Sequence, residues 1–291
     1  MEIIRASALG MCFGVRDAIH TAMNLERPSD VTIHGELVHN NHVLVQLREK
    51  GFCMREESER HDVPSTSTVL VTAHGISDRE RRRLRAAGMS LIDTTCPLVR
   101  RVHEAAQRLE RDGLHVLVIG RPNHVEVQSI TEDLTSYDIV ASIADVKQWS
   151  FPKLGVICQT TTAPRQVNEI LTAIRNKNPA AEVRFINTVC QPTADRQEAL
   201  EHLCGRVDAV VVVGGANSNN TRQLLELARG IGIGAWHVQS AADLRSEWFA
   251  DCECVGLTAG TSTLDATLDE VYEALTALGK SKSQAAPRAP K

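Results

Sequence analysis

The chain has 291 residues, 36 acidic against 32 Lys and Arg, and a net charge of −4. That length has room for about two domains. The lack of a basic excess and an aromatic content of 3% argue against a nucleic-acid binder, and no apolar run reaches the length of a membrane span.

The start, Met1-Glu2-Ile3-Ile4-Arg5, lacks the basic head and apolar stretch of a signal peptide. Eight unclustered cysteines fit a reduced cytoplasmic protein better than a disulfide scaffold. Apolar runs at 31–33, 69–71, 116–119, 156–157, 210–213 and 255–257 predict strands, with helical patterns between them. After Cys12, the residues Val15, Ala18, Ile19, Ala22 and Met23 follow one helix face. After Cys96, Leu98, Val102, Ala105, Ala106 and Leu109 do the same, and Pro192 after Cys190 suits a first helical turn. Alternating strands and helices predict an α/β fold with mostly parallel sheets.

Cys12, Cys96 and Cys190 thus share one context, after a short strand and before an amphipathic helix. They are far apart in sequence, unlike a zinc knuckle or a Cys-x-x-Cys pair. A thiol at a helix N-terminus feels the positive end of the dipole, which favours the thiolate. Read from the residues alone, the three are either buried structural thiols or the ligands of one soft metal centre gathered from three lobes. Cys53, Cys158, Cys204, Cys252 and Cys254 lack the context and read as structural.

In parallel α/β sheets ligands bind beyond the carboxyl ends of the strands. The first two runs lead into Val38-His39-Asn40 and Ala73-His74-Gly75. The next two lead into Asn123-His124-Val125-Glu126 and Gln159-Thr160-Thr161-Thr162. The last two lead into Asn217-Ser218-Asn219-Asn220 and Ala259-Gly260-Thr261-Ser262. These ends crowd histidines, hydroxyls and amides around one carboxylate, as a small anion such as a phosphate or diphosphate requires. Neither Gly-x-x-x-x-Gly-Lys-Ser/Thr nor Gly-x-Gly-x-x-Gly is present to indicate a nucleotide.

The pattern of Cys12-x-Gly-Val, Val38-His39-Asn40, Ala73-His74-Gly75, Thr95-Cys96-Pro97-Leu98-Val99, His124-x-Glu126, Gln159-Thr160-Thr161, Cys190 with Arg196-Gln197, Asn217-Ser218-x-Asn220 and Thr258-Ala259-Gly260-x-Ser262 resembles the 4-hydroxy-3-methylbut-2-enyl diphosphate reductase family over about residues 1 to 279. The resemblance implies three small α/β lobes in pseudo-threefold arrangement around a central 4Fe–4S cluster, one per chain, held by Cys12, Cys96 and Cys190. It implies reductive dehydration of the allylic diphosphate to isopentenyl and dimethylallyl diphosphates at the open iron, with electrons from ferredoxin or flavodoxin. Glu126 and Thr160 become the proton-delivery pair. His39, His74, His124, Thr160, Ser218, Asn219, Asn220 and Ser262 become the substrate-binding set.

Three departures lie beside these residues: Val125 and Leu264 where the family has proline, and Asn219 where it has serine. They leave room for a divergent paralogue, either a non-catalytic iron–sulfur sensor or an enzyme for a related allylic diphosphate. A sensor has no need of Glu126 and Thr160, and a zinc hydrolase using Cys and His ligands is a third class. His20, His103 and His202 fall in helical stretches and read as ordinary. The single histidines at strand ends, and Ser218, Asn220 and Ser262, also have bland readings as satisfied core groups and helix caps. The run Asp78-Arg79-Glu80-Arg81-Arg82-Arg83-Leu84-Arg85 reads first as a solvated helix face and second as a docking patch for an acidic electron donor. Expected lobes are 1–95, 96–189 and 190–279, and residues 280–291 carry the composition of a disordered tail.

Overall fold

The computed structural model describes residues 1–60 and 62–285, with backbone alone for 281–285. The chain opens with β1 (Glu2–Arg5), α1 (Phe13–Met23), β2 (Val31–Ile33), α2 (Asn41–Glu49), β3 (Cys53–Met54), β4 (Thr68–Val71), α3 (Asp78–Ala86) and β5 (Ser90–Asp93). It continues through α4 (Pro97–Arg111), β6 (His115–Ile119), α5 (Val125–Thr131), β7 (Tyr137–Val140), β8 (Lys153–Cys158), α6 (Pro164–Lys177) and β9 (Glu182–Phe185). The last third holds α7 (Gln191–Cys204), β10 (Ala209–Val213), α8 (Asn219–Ile231), β11 (Gly234–Val238), β12 (Cys254–Ala259) and α9 (Asp265–Ala285).

Three four-stranded, wholly parallel sheets result, ordered β3-β2-β4-β5, β7-β6-β8-β9 and β1-β12-β10-β11. The three α/β lobes are not consecutive thirds of the chain. Strand β1 pairs with β12, Ile3 opposite Val255, and so joins the sheet of the C-terminal strands. The two compact units follow the same division: Met1–Cys12 with the chain from Gln191 onward, and Phe13–Cys190. Helix α9 carries regular backbone through residues 280–285, while 286–291 of the expected tail lie outside the described residues.

Each sheet is covered by helices on both faces, which is why its inner strands read as unbroken apolar runs. In the β6–β9 sheet, Leu117 and Ile119 face Val167, Ile170 and Ile174 of α6. Val116 and Val118, pointing the other way, meet Val102, Ala106 and Leu109 of α4 and Ile130 of α5. Helix α4 starts at the end of β5 and packs on the neighbouring sheet, so the Phe13–Cys190 unit is one body with two sheets. In the other unit, β10 and β12 lie between Leu268, Val271 and Leu275 of α9 and Leu200, Leu203 and Leu224 of α7 and α8. Among the described residues no helix is long and apolar enough to cross a membrane.

Candidate functional site

In the β2–β5 sheet the chain order turns back between β2 and β4, so the two following loops diverge and leave a crevice. The same reversal falls between β6 and β8 and between β10 and β12. Each of the six strand-end motifs lies at one of these three switch points.

Within Phe13–Cys190, Asn40 caps α2 by accepting from the His42 and Val43 N–H groups, at 2.9 and 3.3 Å. That cap ends the loop of His39, whose ring stacks at 4.2 Å on His74 of the loop after β4, with His124 edge-on to both at 5.4 and 5.7 Å. The three histidines read from sequence as separate strand ends are therefore one cluster. Burial first, then the charges of His39, His124 and Arg60, holds His74 well below the usual imidazole range. His124 caps α5, its Nδ1 accepting from the Glu126 N–H at 3.1 Å, so the neutral ring carries its proton on Nε2. His39 Nδ1 stands 2.7 Å from Glu36 Oε2, where the ring N–H donates to the carboxylate.

Glu126 is 1% exposed. Its carboxyl accepts from the Thr160 N–H at 2.7 Å and the Thr160 hydroxyl at 2.8 Å, across the β6–β8 switch point. Burial pushes its pKa up, opposed by the two Thr160 hydrogen bonds and the charges of His103 and His39. The Thr160 carbonyl accepts from the Cys190 N–H at 2.9 Å, and the Ala73 carbonyl from the Cys96 N–H at 3.1 Å. Both cysteines are thereby tied to loops that carry the polar set. Gly75, at φ +77°, turns the second loop where a side chain would be 2.9 Å from Thr95 Cγ2.

In the other unit, the Cys12 N–H donates to the Thr261 carbonyl at 3.0 Å. Arg196 clamps the Gly10 carbonyl through Nε at 3.1 Å. Ser218 caps α8 by accepting from the Thr221 N–H at 3.3 Å. Asn220 joins the two switch-point loops, accepting from the Thr261 N–H at 3.1 Å. Ser218, Asn219, Asn220 and Ser262 are all buried. Capping and loop-joining thus account for part of what Ser218 and Asn220 do.

Cys96 is the N-cap of α4, and Cys12 and Cys190 immediately precede α1 and α7. All eight cysteines are free of disulfides. The five others divide from these three: burial pushes Cys158 up to about 12 and raises Cys204 and Cys254, and Cys53 and Cys252 lie outside any helix start. Two residues with a hand in the geometry escape sequence reading: Glu36 acts on His39, and Arg60 donates to the Gly75 carbonyl at 3.1 Å. Arg196, part of the Cys190 motif, holds the loop before Cys12. Glu36 stands three residues before His39, a spacing that gives a signal only once the strand is known to end at Ile33.

Fold and polar strand ends are those of an α/β enzyme that takes its ligand beyond the carboxyl edges of parallel strands. The chain belongs to the LytB protein family, which matches residues 3–276. It is 36% identical over 283 residues to the 4-hydroxy-3-methylbut-2-enyl diphosphate reductase of Anaeromyxobacter sp. (strain K), covering 96% of this chain and 100% of that one. Among solved structures it is similar to the E-1-hydroxy-2-methyl-but-2-enyl-4-diphosphate reductase of Plasmodium falciparum. There the TM-score is 0.88 and the identity 29%, over 94% of this chain and 88% of that one. A second solved (E)-4-hydroxy-3-methyl-but-2-enyl diphosphate reductase, titled the terminal enzyme of the non-mevalonate pathway, matches with TM-score 0.66 and 31% identity over 95% and 100%.

Proposed function

We propose that this chain catalyses the reductive dehydration of 4-hydroxy-3-methylbut-2-enyl diphosphate to isopentenyl and dimethylallyl diphosphates, using a 4Fe–4S cluster held by Cys12, Cys96 and Cys190. The observation that carries the reading is the buried Glu126 carboxyl, joined to Thr160 and reached through the same short turn as His124. It provides a proton source beside a cluster of rings able to hold a diphosphate. The named activity of relatives matching nearly the whole chain supports the same reaction.

The residues fit such a cluster. Gly14, two positions after Cys12, leaves the Cys96 sulfur room that a Cβ would occupy at 2.5 Å. When bound, the cluster supplies electrons one at a time and Lewis acidity at its open iron.

The chain's own groups do the rest. The diphosphate is held by His39, His74, His124, Ser218, Asn219, Asn220 and Ser262. His124 donates from Nε2, and Glu36 accepts from the His39 Nδ1–H and so fixes that ring in the cluster. Glu126, its pKa raised by burial, is the proton source for the departing hydroxyl, and the Thr160 N–H and hydroxyl hold its carboxyl in place. Two electrons and two protons enter, the allylic C–O bond breaks, a C–H bond forms and water leaves. A ferredoxin or flavodoxin supplies the electrons, in the cytoplasm.

Anaerobically purified protein should be brown and contain iron and sulfide. With the hydroxylated diphosphate and a chemical reductant it should yield both five-carbon products. Protein with full iron and sulfide that leaves this substrate untouched would overturn the reading.

A further inference from the structure

Helices α3 and α4 and the strand β5 between them carry an unusual charge. Residues 78–111 hold nine arginines and no lysine against five carboxylates, an excess of four positive charges in a chain whose total is −4. The two helices flank an open groove of about 430 Å³, in whose wall Arg81, Arg85 and Arg100 alternate with Asp78, Asp93 and Glu104. Asp93 lies on its floor and pins Arg81 at 2.7 Å and Arg100 at 3.1 Å. Gln107 ties the two helices by donating to Asp78 at 3.0 Å.

Charges within the groove wall balance, and the exposed surface of the two helices around it carries the arginine excess. Arg82 and Arg85 of α3 and Arg101, Arg108 and Arg111 of α4 are exposed. Positions 100, 104, 107, 108 and 111 share one face of α4 by helical spacing, so Arg108 and Arg111 extend the groove's wall. This charged surface also ends at a proposed cluster ligand. Thr95, in the groove wall, precedes Cys96, and Arg100 stands one helical turn beyond it.

We propose that the groove between α3 and α4 is the docking surface for a small acidic one-electron carrier protein, which delivers electrons beside Cys96. The proposal rests on the reductase reading, because that reaction consumes two electrons per substrate. Each reduced carrier is oxidised once, so two dock in turn for every C–O bond broken and water released. Exposed arginines around a groove whose own charges balance suit a partner with dispersed surface carboxylates. Asp78, Asp93 and Glu104, interleaved with the arginines, repel a continuous phosphate backbone. Such redox encounters are small and transient, and complementary charge sets their rate and salt dependence.

The test uses the whole iron-loaded protein and an acidic plant-type ferredoxin. In calorimetric titration at low salt the parent should bind it weakly, and binding should fall steeply as salt is added. The double variant Arg85→Glu with Arg108→Glu should bind about tenfold or more weakly. It should lose ferredoxin-driven turnover to a similar degree and keep turnover driven by reduced methyl viologen. Lys153→Glu with Arg175→Glu, the same change in net charge at exposed positions elsewhere, should bind ferredoxin as the parent does.

Equal loss in the two double variants would reduce the effect to net charge and overturn the proposal. Undiminished ferredoxin binding in Arg85→Glu/Arg108→Glu, or binding of duplex DNA in place of ferredoxin, would also overturn it. A parent that binds ferredoxin through these arginines but shows no viologen-driven turnover would leave the docking surface standing and sink the reductase reading.

Discussion

Glu126 is placed between opposing effects. Burial disfavours its charge, while two hydrogen bonds from Thr160 and nearby imidazoles favour it, and burial prevails. A carboxyl whose folded pKa is raised stabilises the fold below the ordinary carboxylate value of 4.5 and loses that contribution as pH rises through the raised value. Its neighbour His74 has the opposite sign. Its pKa is lowered, so its contribution is present above 6.5 and is lost on acidification. Glu126→Gln keeps an acceptor for the Thr160 N–H, has no ionisation for burial to penalise, and cannot give up a proton. Turnover should fall about 10²- to 10⁴-fold, with iron and sulfide content unchanged and a melting temperature at pH 8 no lower than the parent's. Steady-state kinetics and calorimetry on one preparation check all three. Near-normal turnover would assign the proton to another group.

At the level of elements, the sequence was legible wherever a strand is buried on both faces. The apolar runs at 31–33, 69–71, 116–119, 156–157, 210–213 and 255–257 mark β2, β4, β6, β8, β10 and β12, the two inner strands of every sheet. The six edge strands received no bounds, although a short strand was expected before each of Cys12, Cys96 and Cys190, and for five of the six the reason is physical. Glu2–Arg5, Ser90–Asp93, Tyr137–Val140 and Glu182–Phe185 mix charged or polar residues with apolar ones, and Cys53–Met54 is two residues long. Because ligand loops follow inner strands at a switch point, the strand-end motifs survived this blindness and the edge strands did not matter to them. The contacts among those motifs were not legible: no spacing in the chain announces that His39 stacks on His74 or that Glu36 meets His39.

The first turn of α1 gives a test at this scale. Alanine is worth roughly 0.5–1 kcal/mol over glycine inside a helix, yet at Gly14 its Cβ would meet the Cys96 sulfur at 2.5 Å. Overpacking of that kind costs about 1–3 kcal/mol, so the sulfur should give way. Gly14→Ala should lose iron and sulfide, while Gly230→Ala, with open space around it in α8, should gain slight stability and keep both. Metal analysis of the two variants decides whether Gly14 is a spacer for the thiol.

The molecule as a whole has one continuous unit, Phe13–Cys190, and one assembled from both ends of the chain. The first holds two complete sheets with their covering helices, including α4 packed across the second. Residues 13–190 produced alone should therefore unfold cooperatively in urea, with the steepness expected for that surface. A broad, featureless transition would show that the unit needs the rest of the chain.

The pairing of β1 with β12 has a consequence for the order of events during synthesis. Arg5 must find Leu257 in the sheet and Asp269 at 2.9 Å, so β1, made long before β12, is among the last of these strands to be paired. At about 5–20 residues per second, β1 waits on the order of tens of seconds as an orphan edge while the middle of the chain folds. A long apolar strand would be a hazard over that interval, open to any neighbouring ribosome's product. Glu2-Ile3-Ile4-Arg5 is four residues long and charged at both ends, a segment built to stay solitary until its partner emerges.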